Sequence, residues 1–206
     1  KKIAMIVDEW GAWYNVEPGT NPGFLFQQNT LRDALLAGTI LNIFHKHSDR
    51  VRIANIAQLV NVLQALFLTE GDKMLLTPTY HVFDMYKVHH DATMLPVDVI
   101  SPTYSRLGKE IKSVSVSASK DVNGKIHISL VNLDPNQSVD ITCRIKDMTN
   151  GKFASGNIIT APKTDSHNTF EQPDLVTLKD FKDANLKNGV LTVKIPAKSL
   201  VTVELN

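Results

Sequence analysis

An α/β segment followed by an antiparallel β-sandwich is the fold this chain predicts. Three features carry the expectation. Ile3 to Val7 is an unbroken apolar run rich in β-branched side chains, as in parallel strands buried on both faces. From Gln28 to about Asp91, helical and extended patterns follow one another. Beyond Leu95-Pro96 the chain breaks into short alternating runs separated by turn dipeptides, the pattern of antiparallel sheets.

The first strand ends abruptly in Asp8 and Glu9, then Trp10, Gly11, Trp13 and Tyr14. Carboxylates at the C-terminal end of a parallel strand stand where α/β barrels hold their chemistry. Flat rings beside them suit the apolar face of a sugar. Ordinary solvated residues at a strand end give the same pattern. Asn15 to Phe26, with Pro18, Gly19, Asn21, Pro22 and Gly23, is a turn-rich loop. Gln28 to about His47 is helical: Leu31, Leu35, Ile40 or Leu41 and Phe44 recur near i, i+3/i+4 spacing. Thr30 and Asp33 form a capping box with Asp in place of Glu, and the closing H-K-H-S-D-R suits a helix C-terminus.

Val51 to Val62 is apolar, with Asn55, Gln58 and Asn61 as its polar members; its pattern fits strand or helix. E-G-D-K (70–73) is a turn. Thr77-Pro78 opens a second helix with Pro at its first position, its apolar side made by Tyr80, Val82, Phe83, Tyr86 and Val88, ending near Asp91. Strand, helix, strand, helix is the order of the last quarter of a (β/α)8 barrel. Five strands follow, at 113–119, 125–133, 139–145, 190–195 and 200–205. Asn123-Gly124, Asp134-Pro135-Asn136, Asn150-Gly151 and Asn188-Gly189 mark turns between them.

Formal net charge is +1 over 206 residues, with Lys and Arg scattered. Nothing in this balance favours nucleic acid or an anionic membrane as partner, and no apolar run reaches the roughly 20 residues that span a bilayer. One cysteine, Cys143, excludes an internal disulfide; its alternating setting suits a buried structural thiol. His45, His47, His81, His89 and His90 lie close in sequence. Their spacings of one and two point side chains apart on a helix, and no Cys or carboxylate completes a ligand set, so no metal site is expected.

The stretch Ile3 to Trp13 resembles the nucleophile strand of the α-L-arabinofuranosidases of glycoside hydrolase family 51. The resemblance continues through Pro18 to Leu35 (P-G-T-N-P-G-F-L-F-Q-Q-N-T-L-R-D-A-L), Ala54 to Ala65 (A-N-I-A-Q-L-V-N-V-L-Q-A), Leu76 to Tyr86 (L-T-P-T-Y-H-V-F-D-M-Y) and Asn168 to Pro173 (N-T-F-E-Q-P). It implies that residues 1–97 are the C-terminal part, about two βα units, of a (β/α)8 catalytic barrel, and that 98–206 are a C-terminal β-sandwich. It implies a retaining hydrolase that releases terminal α-L-arabinofuranosyl groups from arabinan or arabinoxylan oligosaccharides, with no cofactor. Glu9 takes the nucleophile's place; Asp8, which points to the opposite side of the sheet from its strand neighbour, reads as a supporting or structural group. Trp13 takes the place of a sugar-stacking ring and Gln58 that of an eighth-strand amide that bonds the sugar; a satisfied core amide is the plainer reading of Gln58, and core packing that of Trp10. The family often forms oligomers, though no residue here indicates one.

The family's acid/base is a Glu after Asn, and no Asn-Glu dipeptide occurs in this chain. The expectation is therefore that the chain is a fragment that supplies the nucleophile, depends on a missing N-terminal part for the acid/base, and is inactive alone. The compartment, cytoplasmic or periplasmic, is open. A second reading makes the sandwich a non-catalytic carbohydrate-binding or structural module; it requires exposed aromatic rings on residues 100–206, which hold only Tyr104, Phe153, Phe170 and Phe181.

Overall fold

A computed structural model describes residues 3–206. The first strand, β1 (Met5–Trp10), pairs in parallel with β2 (Val51–Ile56), and helix α1 (Leu31–Lys46) connects them. Two parallel strands joined by a helix form a βαβ unit. Hairpin β3 (Phe67–Glu70) and β4 (Lys73–Leu76) turns at Gly71-Asp72, as E-G-D-K predicts, and leads into α2 (Pro78–Tyr86). Thr77 caps α2: its Oγ1 accepts from the Tyr80 amide at 3.3 Å, and Pro78 takes the first turn. The helix stops at Tyr86 and tightens into a 3-10 turn at Lys87–His89, short of the expected Asp91.

The capping box read from the sequence is present. The Thr30 amide donates to Asp33 Oδ2 at 2.7 Å, and the Thr30 hydroxyl donates to the same oxygen at 3.0 Å. The Leu31 and Arg32 amides donate to the Ser166 and Thr164 carbonyls of a distant loop. Orphan N–H groups at a helix start need such partners, so the 163–168 loop is bound to the head of α1.

The remaining chain is sheet. It contains β5 (Thr93–Leu95), β6 (Thr103–Arg106), β7 (Lys109–Lys112), β8 (Val114–Lys120), β9 (Ile126–Asn132), β10 (Val139–Arg144), β11 (Phe153–Thr160), β12 (Lys179–Asp180), β13 (Ala184–Lys187), β14 (Val190–Ile195) and β15 (Ser199–Leu205). A six-stranded antiparallel sheet runs β12-β11-β15-β9-β8-β5 and faces a three-stranded sheet β10-β14-β13, while β6 and β7 form a separate hairpin. The five expected strands are all present as β8, β9, β10, β14 and β15. Asn188 and Gly189 both have positive φ (51° and 73°), the backbone of a tight two-residue hairpin loop that Asn-Gly favours. Leu107-Gly108 makes the same geometry (50° and 73°) between β6 and β7 without the Asn-Gly signal, so sequence reading passes over that hairpin. It also passes over β11, whose F-A-S-G-N-I-I-T lacks strict alternation.

Two hydrophobic layers result. Val116, Leu130, Val203 and Leu205 of the large sheet pack on Leu191, Val193 and Ile195 of the small one. On the large sheet's opposite face, Val131, Ile159 and Leu200 pack under Leu31, Leu35, Val82 and Met85 of the two helices. The large sheet is thus covered on both sides, which is why β9 and β15 are buried nearly throughout.

The expected burial of the first strand on both faces is not found. Ile3 is 70% and Ile6 60% exposed, because β1 has β2 as its one neighbour and its outer side is uncovered among the described residues. Among the described residues no barrel closes there, and the parallel sheet consists of these two strands. The described residues make a sheet-rich fold with two α-helices. Cys143 is half-buried and free, with burial pushing its thiol pKa up.

Candidate active site at the parallel strand ends

Register places β1 and β2 side by side, with Val7 beside Ala54 and Trp10 beside Ile56. Glu9 is the penultimate residue of β1. Gln58 lies two residues beyond β2, and the Ala57 amide donates to the Trp10 carbonyl at 2.9 Å. Glu9 and Gln58 therefore stand at the C-terminal ends of adjacent parallel strands. Both are exposed. Trp13 follows on the loop after β1 and is 69% exposed.

Trp10 turns the other way. Its ring meets Phe44 edge-on at 5.5 Å and stacks on Phe83 at 6.0 Å, so it belongs to the helical core, the plainer of its two readings. Asn61 is structural too: its side chain exchanges hydrogen bonds with Thr69 across a turn.

The loop carrying Trp13 is held from beneath. Gln27 accepts from the Tyr14 amide at 2.8 Å and donates to the Ala12 carbonyl at 3.1 Å. The Arg32 guanidinium lies 3.8 Å from the centre of the Tyr14 ring, a cation–π contact. Burial raises the Tyr14 pKa, against a lowering by Arg32. Below them Gln64 donates to Asp33 Oδ1 at 3.1 Å, its own amide donates to the Ala57 carbonyl at 2.9 Å, and its side chain fills the space over Gly11 (φ 135°). Strand ends, loop and helix head thus share one set of hydrogen bonds. The sequence reading assigns no role to Gln27, Asp33 or Gln64 here. Their signal was weak: polar residues inside apolar or helical runs, whose partners lie 13 to 31 positions away.

Among the described residues, no group of three His, Cys, Asp or Glu side chains is arranged to hold a metal ion. His45 and His89 do meet, ring centroids 4.6 Å apart, but with each other and with serines. His45 Nδ1 is 3.0 Å from Ser117 Oγ, and the two His89 nitrogens are each 2.7 Å from Ser119 and Ser129 Oγ.

The sandwich surface offers no aromatic platform. Phe181 is buried, and Tyr104, Phe153 and Phe170 are half-buried. A depression of about 500 Å³ on β10, β13 and β14 is lined by Asp140, Lys182, Asp183 and Lys194 among others, with no ring.

The family described as "Alpha-L-arabinofuranosidase C-terminal domain" matches residues 8–199. An intracellular exo-alpha-L-arabinofuranosidase of Bacteroides ovatus is 51% identical over the whole chain, which spans 40% of that relative's length. The crystal structure of the family 51 arabinofuranosidase from Xanthomonas axonopodis superposes with a TM-score of 0.96 at 47% identity, over 98% of this chain and 41% of that one. The Thermotoga maritima α-L-arabinofuranosidase, solved with arabinose, gives 0.84 at 25% identity, over 98% and 42%. With residues 8–199 matched by the family and the whole length matched by a relative at 51% identity, the chain belongs to the α-L-arabinofuranosidase C-terminal domain family, as the C-terminal segment of a glycoside hydrolase family 51 arabinofuranosidase.

Proposed function

We propose that this chain is the nucleophile-bearing part of a retaining α-L-arabinofuranosidase. Residues 1–97 would contribute the last two βα units of a (β/α)8 barrel, and residues 98–206 the sandwich. Glu9 attacks the anomeric carbon of a terminal α-L-arabinofuranosyl group. The bond to the aglycone oxygen breaks as that oxygen takes a proton from an acid outside this chain. Water then opens the glycosyl-enzyme ester and frees Glu9. Gln58 donates a hydrogen bond to a sugar hydroxyl, and the Trp13 ring stacks on the sugar's apolar face. Arabinose-containing oligosaccharides are the substrate class.

The observation that carries this reading is that Glu9 and Gln58 stand at or just past the C-terminal ends of two adjacent parallel strands. In parallel sheets that edge is where ligand-binding loops gather. The exposed β1 fits a strand whose second neighbour lies in another part of the polypeptide. The half-buried rings of the sandwich favour a structural role for residues 98–206 over carbohydrate binding.

Hydrolysis of an aryl α-L-arabinofuranoside tests it. The chain alone is expected to be silent, and addition of the preceding portion of the polypeptide to restore turnover that Glu9→Gln removes. Turnover by the chain alone would mean that both carboxyl groups lie within it.

A further inference from the structure

Gln27 is 1% exposed, yet both ends of its amide are committed to one place fifteen and thirteen residues back in the chain. Its Oε1 accepts from the Tyr14 amide at 2.8 Å, and its Nε2 donates to the Ala12 carbonyl at 3.1 Å. These are the backbone groups on either side of Trp13. Buried amides are costly unless satisfied, and here satisfaction is possible only if Trp13 holds one backbone path. The backbone of Gln27 is held in turn, since Asn29 Nδ2 donates to its carbonyl at 3.1 Å. The neighbouring Phe26 carbonyl accepts from the Glu17 amide at 2.9 Å, closing the loop on itself. Arg32 stacked on Tyr14 fixes the far side.

The Trp13 side chain has no such support among the described residues. It is 69% exposed, and the residues around it, 12–17, have no regular secondary structure. A ring used for stacking must present its face at a fixed angle, and an irregular loop does not fix one. We propose that Gln27 is the positioning residue for Trp13: its amide clamps the peptide groups flanking Trp13 so that the indole stands ready for an arabinofuranosyl ring. This rests on the reading of Trp13 as a substrate-stacking residue. Gln27 touches no substrate and acts through Trp13. With the clamp intact, little backbone freedom is lost when sugar binds. Without it, the loop must order at the moment of binding, and the loss falls on KM and kcat/KM.

The experiment is a double-mutant cycle in the full-length enzyme, with kcat and KM measured on an aryl α-L-arabinofuranoside. The variants are Trp13→Ala, Gln27→Ala and the double variant. Gln27→Met, which fills a similar volume and offers neither the acceptor for the Tyr14 amide nor the donor to Ala12, serves as the second clamp variant should Gln27→Ala fail to fold. Gln27→Ala is expected to lower kcat/KM about 10-fold or more in the parent, chiefly through KM, and less than about 2-fold in the Trp13→Ala background, the signature of coupled residues. Gln27→Met is expected to follow Gln27→Ala, since both remove the two hydrogen bonds. Equal losses from the Gln27 variants in both backgrounds would overturn the proposal, because Gln27 would then act on something other than Trp13. A silent Gln27 with a damaging Trp13→Ala would overturn it alone. A silent Trp13→Ala would overturn the substrate role of Trp13 and the clamp with it.

Discussion

Asp33 and Gln64 meet at the head of α1: Gln64 Nε2 donates to Asp33 Oδ1 at 3.1 Å, while Oδ2 of the same carboxylate accepts from the Thr30 amide and hydroxyl. Asp33 is fully buried, with Arg32 Nη2 3.4 Å away. One carboxylate thus caps the helix and ties it to the segment after β2. Asp33→Ala removes a cap and leaves buried donors unpaired. The expected loss is about 2–3 kcal/mol, read from the denaturant midpoint of the chain. An unchanged midpoint would show that water replaces the carboxylate.

Gln58 gives the opposite signature. It is exposed, so Gln58→Ala is expected to leave the unfolding midpoint within about 0.5 kcal/mol of the parent. In the full-length enzyme the same change is expected to lower kcat/KM on an aryl α-L-arabinofuranoside by about 10-fold or more, through a lost hydrogen bond to the sugar. Parent-like kinetics would remove Gln58 from the site.

The buried histidine pair predicts acid sensitivity. Burial lowers the pKa of His45 from 6.5 to about 4, with His90 adding to the shift. Burial lowers that of His89 to about 3, helped by His45, His127 and His90. The folded values lie below the unfolded one, so the unfolded chain binds more protons as pH falls. The neutral rings' contribution is complete above about pH 6.5 and is lost progressively from there down to pH 4 and 3. The two shifts correspond to on the order of 3 kcal/mol for His45 and 5 kcal/mol for His89 over that range. Unfolding midpoints measured from pH 7 to 4 are expected to fall less steeply in His89→Gln than in the parent. Parallel slopes would place the acid sensitivity elsewhere.

Gly38 lies inside α1, where alanine ordinarily gains about 1 kcal/mol. Here a Cβ would overlap Leu200 Cδ1 and come within 3.2 Å of Val131 Cγ2 and 3.3 Å of Tyr86 Oη. Tyr86 Oη also donates to the Gly38 carbonyl at 3.1 Å and to Asn42 Oδ1 at 2.9 Å. Overpacking outweighs propensity, so Gly38→Ala is expected to destabilise the chain by about 1–3 kcal/mol. A raised midpoint would mean that the helix shifts freely on the sheet.

Local chemistry was sufficient for much of this chain. Thr30 with Asp33, and Thr77 with Pro78, announce their helices because caps act within one turn. Asn188-Gly189 announces its hairpin because few other pairs accept two positive φ angles. S-V-S-V-S-A-S announces a strand because its period is two. The end of the first strand was legible as a candidate site because carboxylates and tryptophans directly follow an apolar run.

Which faces are covered was not legible, because burial depends on what lies opposite in space. The valine side of β8 packs in the sandwich as alternation suggests. Its serine side is buried too: Ser117 and Ser119 lie under the helices, where Ser117 donates to Asn42 Oδ1 at 2.7 Å and Ser119 meets His89. The apolar run Ile3–Val7, by contrast, has exposed residues, because a strand's burial is set by its neighbours and not by its own composition. Gln27 shows the same limit at the candidate site. Nothing near position 27 foretells that its amide brackets Trp13, since the two are brought together only by the path of the loop between them. Helix caps and tight turns could be read from residue order, because they follow from interactions a few residues apart. The buried serine face, the exposed first strand and the Gln27 hydrogen bonds on either side of Trp13 depend on which distant parts of the chain meet, and no local pattern encodes that.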